Sequence, residues 1–156
     1  MKKHRFRIFF LFIALPLLIG ALSAFLSREG MTDFELLRKP SLAPPGWAFP
    51  VVWTLLYLLM GISAALVWLS GSSERGGAVF LWGAQLFVNF WWSIFFFRWQ
   101  IRGYALLWLL LLFVLAAWMT LSFRRIRPAA GRLNYPYLIW LALAVWLNAA
   151  VWFLNA

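Results

Sequence analysis

In a chain of 156 residues, 65% are hydrophobic and only 12% are charged, against the roughly 45–50% apolar content of soluble domains, so a soluble globular protein is excluded and one domain fills the length. The formal charge of +10 would suggest nucleic acid in a soluble chain, but here Lys and Arg sit in short segments beside apolar runs, where lipid headgroups and membrane orientation account for them. Cysteine is absent and the one histidine, His4, lies in the N-terminal tail, which excludes disulfides, thiolate catalysis and Cys/His metal sites. No nucleic-acid partner, metal or obligatory cofactor is expected.

Lys2, Lys3, Arg5 and Arg7 precede the uncharged run 8–27. That run is longer than a leader needs, Pro16 and Gly20 interrupt it, and no small-x-small cleavage site follows cleanly, so it reads as a retained first helix. Residues 28–46 form a long loop with three of the four acids, Glu29, Asp33 and Glu35. Met31–Leu37 predicts a short surface helix capped by Thr32. Pro40, Pro44 and Pro45 cannot continue a helix and push their predecessors toward extended geometry, so the loop ends as a stiff lead-in, a candidate lid over a ligand.

Four more uncharged runs follow, at about 47–69, 76–97, 103–123 and 133–156. Each exceeds the ~20 residues that cross a hydrocarbon core. Pro50 falls in the first turn of the second helix, where its missing N–H costs nothing. The connectors are short and polar, so consecutive helices are antiparallel neighbours. The predicted fold is an all-α, five-helix transmembrane bundle with its termini on opposite faces. Gly20/Ala24 and Gly61/Ala65 permit close helix contacts without identifying an interface.

Basic residues set the orientation. Lys2, Lys3, Arg5, Arg7, Arg75, Arg124, Arg125, Arg127 and Arg132 lie on the N-terminal side; Arg28, Arg38, Lys39, Arg98 and Arg102 lie on the other. The positive-inside rule then predicts a cytoplasmic N-terminus, with the long loop and the C-terminus outside. No acid lies inside a span, since Glu74 sits in a connector. A proton- or ion-coupled transporter usually carries an ionisable group at membrane depth, so that class is disfavoured. Paired carboxylates and hydrolytic triads within the bundle are unavailable for the same reason.

What the spans do contain is aromatic. The chain has twelve Trp, of which Trp47, Trp68, Trp99 and Trp118 lie near span ends as interfacial anchors. Counting at 1.5 Å per residue places Trp53 and Trp92 about 8–9 Å below the same face, and Trp140 deeper. Gln85, Asn89, Trp92 and Phe96 form an i, i+4, i+7, i+11 stripe on the third helix. An amide facing lipid would leave its polar atoms unpaired at several kcal/mol, so this stripe should face the bundle. It serves there either as interhelical bracing or as part of a ligand site.

Three motifs then carry a resemblance. Lys39-Pro40-Ser41, Pro44-Pro45, Pro50-Val51-Val52-Trp53 and Leu56-Tyr57 with Met60-Gly61 form the first. Gln85 to Asn89 and Phe90-Trp91-Trp92 with Phe95-Phe96 form the second. Tyr135-Pro136-Tyr137, Trp140 and Leu147-Asn148 form the third. In that order, over nearly the whole chain, they resemble the TspO/MBR family of tryptophan-rich sensory proteins.

The resemblance implies binding of porphyrins and related tetrapyrroles in an intramembrane pocket, for their sensing, transport or light-dependent breakdown, together with a homodimer and residence in a bacterial cytoplasmic membrane, with the outer membrane as the alternative. It places Trp53, Tyr57, Asn89, Trp92, Trp140, Ala144 and Asn148 in the ligand site, with Trp53 and Trp140 as the candidates for light-dependent porphyrin breakdown. With no Cys or His in the spans, a protoporphyrin or haem would be held by stacking rather than through strong axial ligands. Arg38, Lys39, Arg98 and Arg102 are the groups available for its propionates. The chain departs from the family at Asp33-Phe34, where members often carry Trp-Tyr, and at Leu42, often Trp. The segment Leu147–Phe153 lacks the Tyr and the Lys or Arg of a cholesterol-recognition pattern, so a sterol partner is disfavoured. A competing reading is a regulatory or structural scaffold that acts through partner proteins.

Overall fold

The computed structural model describes residues Met1–Ala156. Helix α1 spans Lys2–Leu26, α2 Arg28–Glu35, α3 Ala48–Leu69 and α4 Arg75–Ser93, which runs on into a π-helical turn at Ile94–Arg98. Then come α5 at Arg102–Ile126, α6 at Pro128–Arg132 and α7 at Tyr135–Leu154. Five of these segments are long and apolar enough to cross a membrane. Their outward residues, such as Leu15, Leu18, Leu22, Phe87 and Leu107, are exposed and apolar, as a lipid-facing surface requires.

Several boundaries differ from the sequence expectation. Helix α1 starts at Lys2 rather than residue 8, because the basic tail contains good helix formers and no Gly or Pro. Helix α2 begins at Arg28 rather than Met31, nearly continuous with α1, and Thr32 donates to the Arg28 carbonyl within the helix at 3.3 Å instead of capping it. Helix α5 runs to Ile126, and the connector to α7 is itself a short helix with Pro128 at its start.

The bundle is assembled around α5. Ala105, Leu109, Leu112, Ala116, Met119 and Phe123 are all 0% exposed and follow alternating spacings of four and three, the pattern of a helix seam buried against neighbours. Helix α1 packs on α3 at two glycines. A Cβ at Gly20 would strike the Tyr57 ring, and one at Gly61 would meet the backbone of Phe12 and Ile13. Small residues thus let two backbones approach where lipid provides no hydrophobic drive for association.

At the far end of α4 the helix widens. The Trp99 N–H donates to the Ile94 carbonyl at 2.8 Å, five residues back, and the Ile101 N–H reaches Phe95 at 3.0 Å. In this π-helical turn the consecutive residues Phe95, Phe96 and Phe97 are all buried. Such turns often accompany functional sites. Helix α2 seals the turn from above, with Gly30 directly against the Phe97 carbonyl. The C-terminal end reaches the same face, where the Asn155 amide exchanges hydrogen bonds of 3.1 and 2.9 Å with the backbone of Arg38.

Candidate ligand cavity

A cavity of about 370 Å3 lies in the half of the bundle nearest α2, between α1, α2, α3 and the end of α4. This is within the ~300–1,000 Å3 typical of small-molecule sites. Pro50 at the start of α3 lets the helix begin early enough to present Phe49, Trp53 and Tyr57 to it. Helix α4 contributes Asn89, Trp92 and Ser93, the π-helical turn Phe97, and α2 Met31, Phe34 and Glu35. Leu17, Gly20, Ser23 and their neighbours on α1 form the remaining wall. Among the lining residues, Ala21 and Ala24 of α1, Pro50 and Thr54 of α3, and Glu35 and Gly46 at the rim between α2 and α3 are exposed. The cavity therefore opens sideways between α1 and α3, toward the bilayer, and also at the rim where α2 meets the start of α3.

Trp53 is the hub of the aromatic walls. It stacks on Tyr57 at 5.4 Å and 29°, and lies 6.3 Å from Trp92. It meets Tyr137 at 6.2 Å and Trp140 at 6.5 Å, edge-on in both cases. The seven residues expected to form one site consequently fall into two groups. Trp53, Tyr57, Asn89 and Trp92 line the main cavity. Trp140, Ala144 and Asn148 lie behind Trp53 and Trp92, on a chamber of only about 20 Å3 that Phe49 and Phe96 also line. Trp53 and Trp92, with Phe34, Phe49 and Phe97, line both chambers and form the partition between them.

The cavity floor is a hydrogen-bonded chain across three helices. The Tyr57 hydroxyl donates to Asn89 Oδ1 at 3.0 Å, and Asn89 Nδ2 donates to the Tyr137 hydroxyl at 2.8 Å. Tyr137 donates to Gln85 Oε1 at 2.7 Å, and Gln85 Nε2 reaches the Met60 sulfur at 3.5 Å. Nearby, Trp92 Nε1 donates to Asn148 Oδ1 at 3.1 Å, and Asn148 Nδ2 donates to the Arg102 carbonyl at 3.0 Å. The polar stripe of α4 does face the bundle, with Gln85 0% and Asn89 2% exposed. Its amides are engaged in bracing helices, so Asn89 and Asn148 hold the site together rather than waiting for a ligand.

Replacing Asn89 with leucine is expected to lower stability by about 1–3 kcal/mol, because Tyr57 would be left buried without an acceptor. That exceeds the ~0.6 kcal/mol average for an interhelical hydrogen bond in a membrane, where the freed group usually finds another partner. Unfolding of the purified protein in detergent measures it. A change below about 0.5 kcal/mol would mean that Tyr57 re-pairs.

Two expectations require correction. None of Arg38, Lys39, Arg98 and Arg102 lines the cavity. Lys39 Nζ donates to the carbonyls of Phe34 and Glu35 at 2.9 and 3.1 Å, Arg98 to that of Leu26 at 3.0 Å, and the Arg102 guanidinium lies over Phe96. Lys39 and Arg98 thus satisfy helix-terminal carbonyls instead of forming part of a propionate clamp. Nor do the prolines cover the main cavity. Pro44 touches only the small chamber, Pro40 and Pro45 line neither, and the roof is α2.

Met31, Phe34 and Glu35 fall within the segment 28–46 expected to cover a ligand, whereas Phe49, Tyr137 and the whole α1 wall were missed from the sequence. Gly20 was the one visible signal for α1, since a gap in side-chain volume is where a neighbouring ring can sit. No group of His, Cys, Asp and Glu that could hold a metal occurs in the fold.

Comparison with known proteins agrees with this architecture. The sequence profile described as the TspO/MBR family matches residues 12–153. The chain is 41% identical over 133 residues to the translocator protein of Homo sapiens, covering 83% of this chain and 79% of that one. It is 36% identical over 146 residues to the tryptophan-rich protein TspO of Chlorobaculum tepidum, covering 92% of both. It is 37% identical over 126 residues to the protein CrtK of Rhodobacter capsulatus, covering 78% of both. With five spans, the tryptophan-walled cavity and a profile match over nearly its whole length, this integral membrane protein belongs to the TspO/MBR family.

Proposed function

We propose that this protein is an intramembrane receptor for a flat aromatic ligand of the tetrapyrrole class. The observation that carries the reading is the cavity wall formed by Trp53, Tyr57, Trp92, Phe34 and Phe49, which offers ring faces and edges to a polarizable macrocycle. The sideways opening between α1 and α3 suits a ligand that partitions into the bilayer. The floor from Tyr57 through Gln85 closes the cavity toward the other face of the membrane. Capture and release on one side fit this geometry better than passage through the bundle, which would require breaking those bonds.

Titration of the purified protein with protoporphyrin IX, in the dark and under illumination, tests the reading. Saturable, stoichiometric quenching of tryptophan fluorescence in the dark is expected. Absence of saturable quenching would leave the scaffold reading, in which the tryptophans only anchor the bundle. Loss of the porphyrin absorption band on illumination, reduced in Trp53→Phe, would add ligand breakdown to binding.

A further inference from the structure

The wall of the main cavity carries one acidic or basic side chain, Glu35, and everything else on it is apolar, aromatic or neutral polar. Its position is set by its neighbour across the rim. A Cβ on residue 46 would collide with the Glu35 carboxylate oxygen, so the carboxylate lies over Gly46, between the end of α2 and the start of α3. Lys39, the cation nearest in sequence, engages the main-chain oxygens of Phe34 and Glu35 and lies over the Phe34 ring at 4.7 Å. It is not on the cavity wall.

We propose that Glu35 makes this cavity selective for aromatic ligands that present a hydrogen-bond donor or a cation, rather than a carboxylate, at the rim between α2 and α3. The proposal rests on the reading of the cavity as a ligand site and specifies the edge chemistry of its ligand. Glu35 is exposed at the rim, so its charge is partly screened by water and acts on groups within a few ångströms, attracting a cation and repelling a second carboxylate. Phe34, Phe49 and Trp53 line the same cavity as Glu35, and a cation bound between the carboxylate and a ring face gains from both. A ligand arriving through the gap beside Ala21, Ala24, Pro50 and Thr54 slides its apolar body inward and leaves its polar edge at Glu35. A free propionate at that edge would meet a carboxylate with no cation on the wall to balance it.

The test uses the full chain in lipid nanodiscs and three probes that share one macrocycle: protoporphyrin IX, its dimethyl ester and its bis(2-aminoethyl)amide. Affinities are read by tryptophan quenching. The amine form is expected to bind most tightly and the free acid least, with about three- to tenfold between them, as an exposed charge contributes only modestly to each of the attraction and the repulsion. In Glu35→Gln that ratio should fall below about twofold, as expected once the charge is removed. Gly46→Ala, which displaces the carboxylate without removing it, should also shrink the ratio, whereas Lys39→Gln should preserve the order. Because the ratio is taken within each protein, a general loss of stability does not imitate the result. An unchanged ratio in Glu35→Gln, or tightest binding of the free acid by the unaltered protein, overturns the selectivity while leaving the cavity as a ligand site. Failure of all three probes to quench overturns both.

Discussion

Replacing Trp53 with alanine is expected to weaken porphyrin binding by about 10–100-fold, as the loss of a stacked indole face and its buried area implies. Trp53 forms one wall of the main cavity and part of the partition from the chamber behind it. Its removal takes away a stacking surface and joins the two chambers, so a ligand loses its fixed depth as well as its contact. Trp140 stands on the far side of that partition, 6.5 Å from Trp53 and edge-on to it. Trp140→Phe is therefore expected to change affinity by less than about threefold, since it perturbs one edge contact with another ring. Trp53→Phe should fall between the two. Fluorescence titration of the three variants decides the matter. Equal losses at Trp53 and Trp140 would mean that the ligand occupies both chambers and that the partition opens on binding.

The second large effect is expected at the roof. Gly30 lies against the Phe97 carbonyl, where a Cβ would strike backbone atoms that cannot rotate away. Gly30→Ala should lift α2 from the π-helical turn and draw Phe34 out of its nest of Phe49, Phe96 and Phe97, whose ring centroids lie 5.5–6.0 Å away. Exposing a buried Phe costs about 2–3 kcal/mol, which corresponds to roughly 30–150-fold faster amide exchange across Met31–Leu36. Porphyrin release should accelerate with it, because affinity changes usually appear in the off-rate. Unchanged exchange in α2 would show that its docking does not depend on the contact at Gly30. With Phe34 5% exposed, the cover over the cavity is a docked helix. The stiff proline segment acts as the strut that returns the chain to α3.

The five spans and their order were legible in the residues alone, because helix rise and bilayer thickness are fixed lengths. The sequence also determined that Gln85, Asn89, Trp92 and Phe96 point inward. Amides cannot face lipid unpaired, and a 3.6-residue period then assigns the whole stripe. The apolar positions carry no such signal, since a methyl or phenyl group is nearly as well placed against a lipid tail as against another helix. Nothing in Leu17, Ala21 or Ala24 marks α1 as a cavity wall, and nothing in Trp140 or Ala144 says that another indole stands between them and the cavity. Only tertiary structure decided those placements. It did so through close approaches at Gly20, Gly30 and Gly61, amide pairs between helices, and a π-helical turn that buries Phe95, Phe96 and Phe97 together. The carboxylate of Glu35 over Gly46 is the same kind of fact, because ten residues lie between the two in the chain and only the return of the proline segment brings them to one rim.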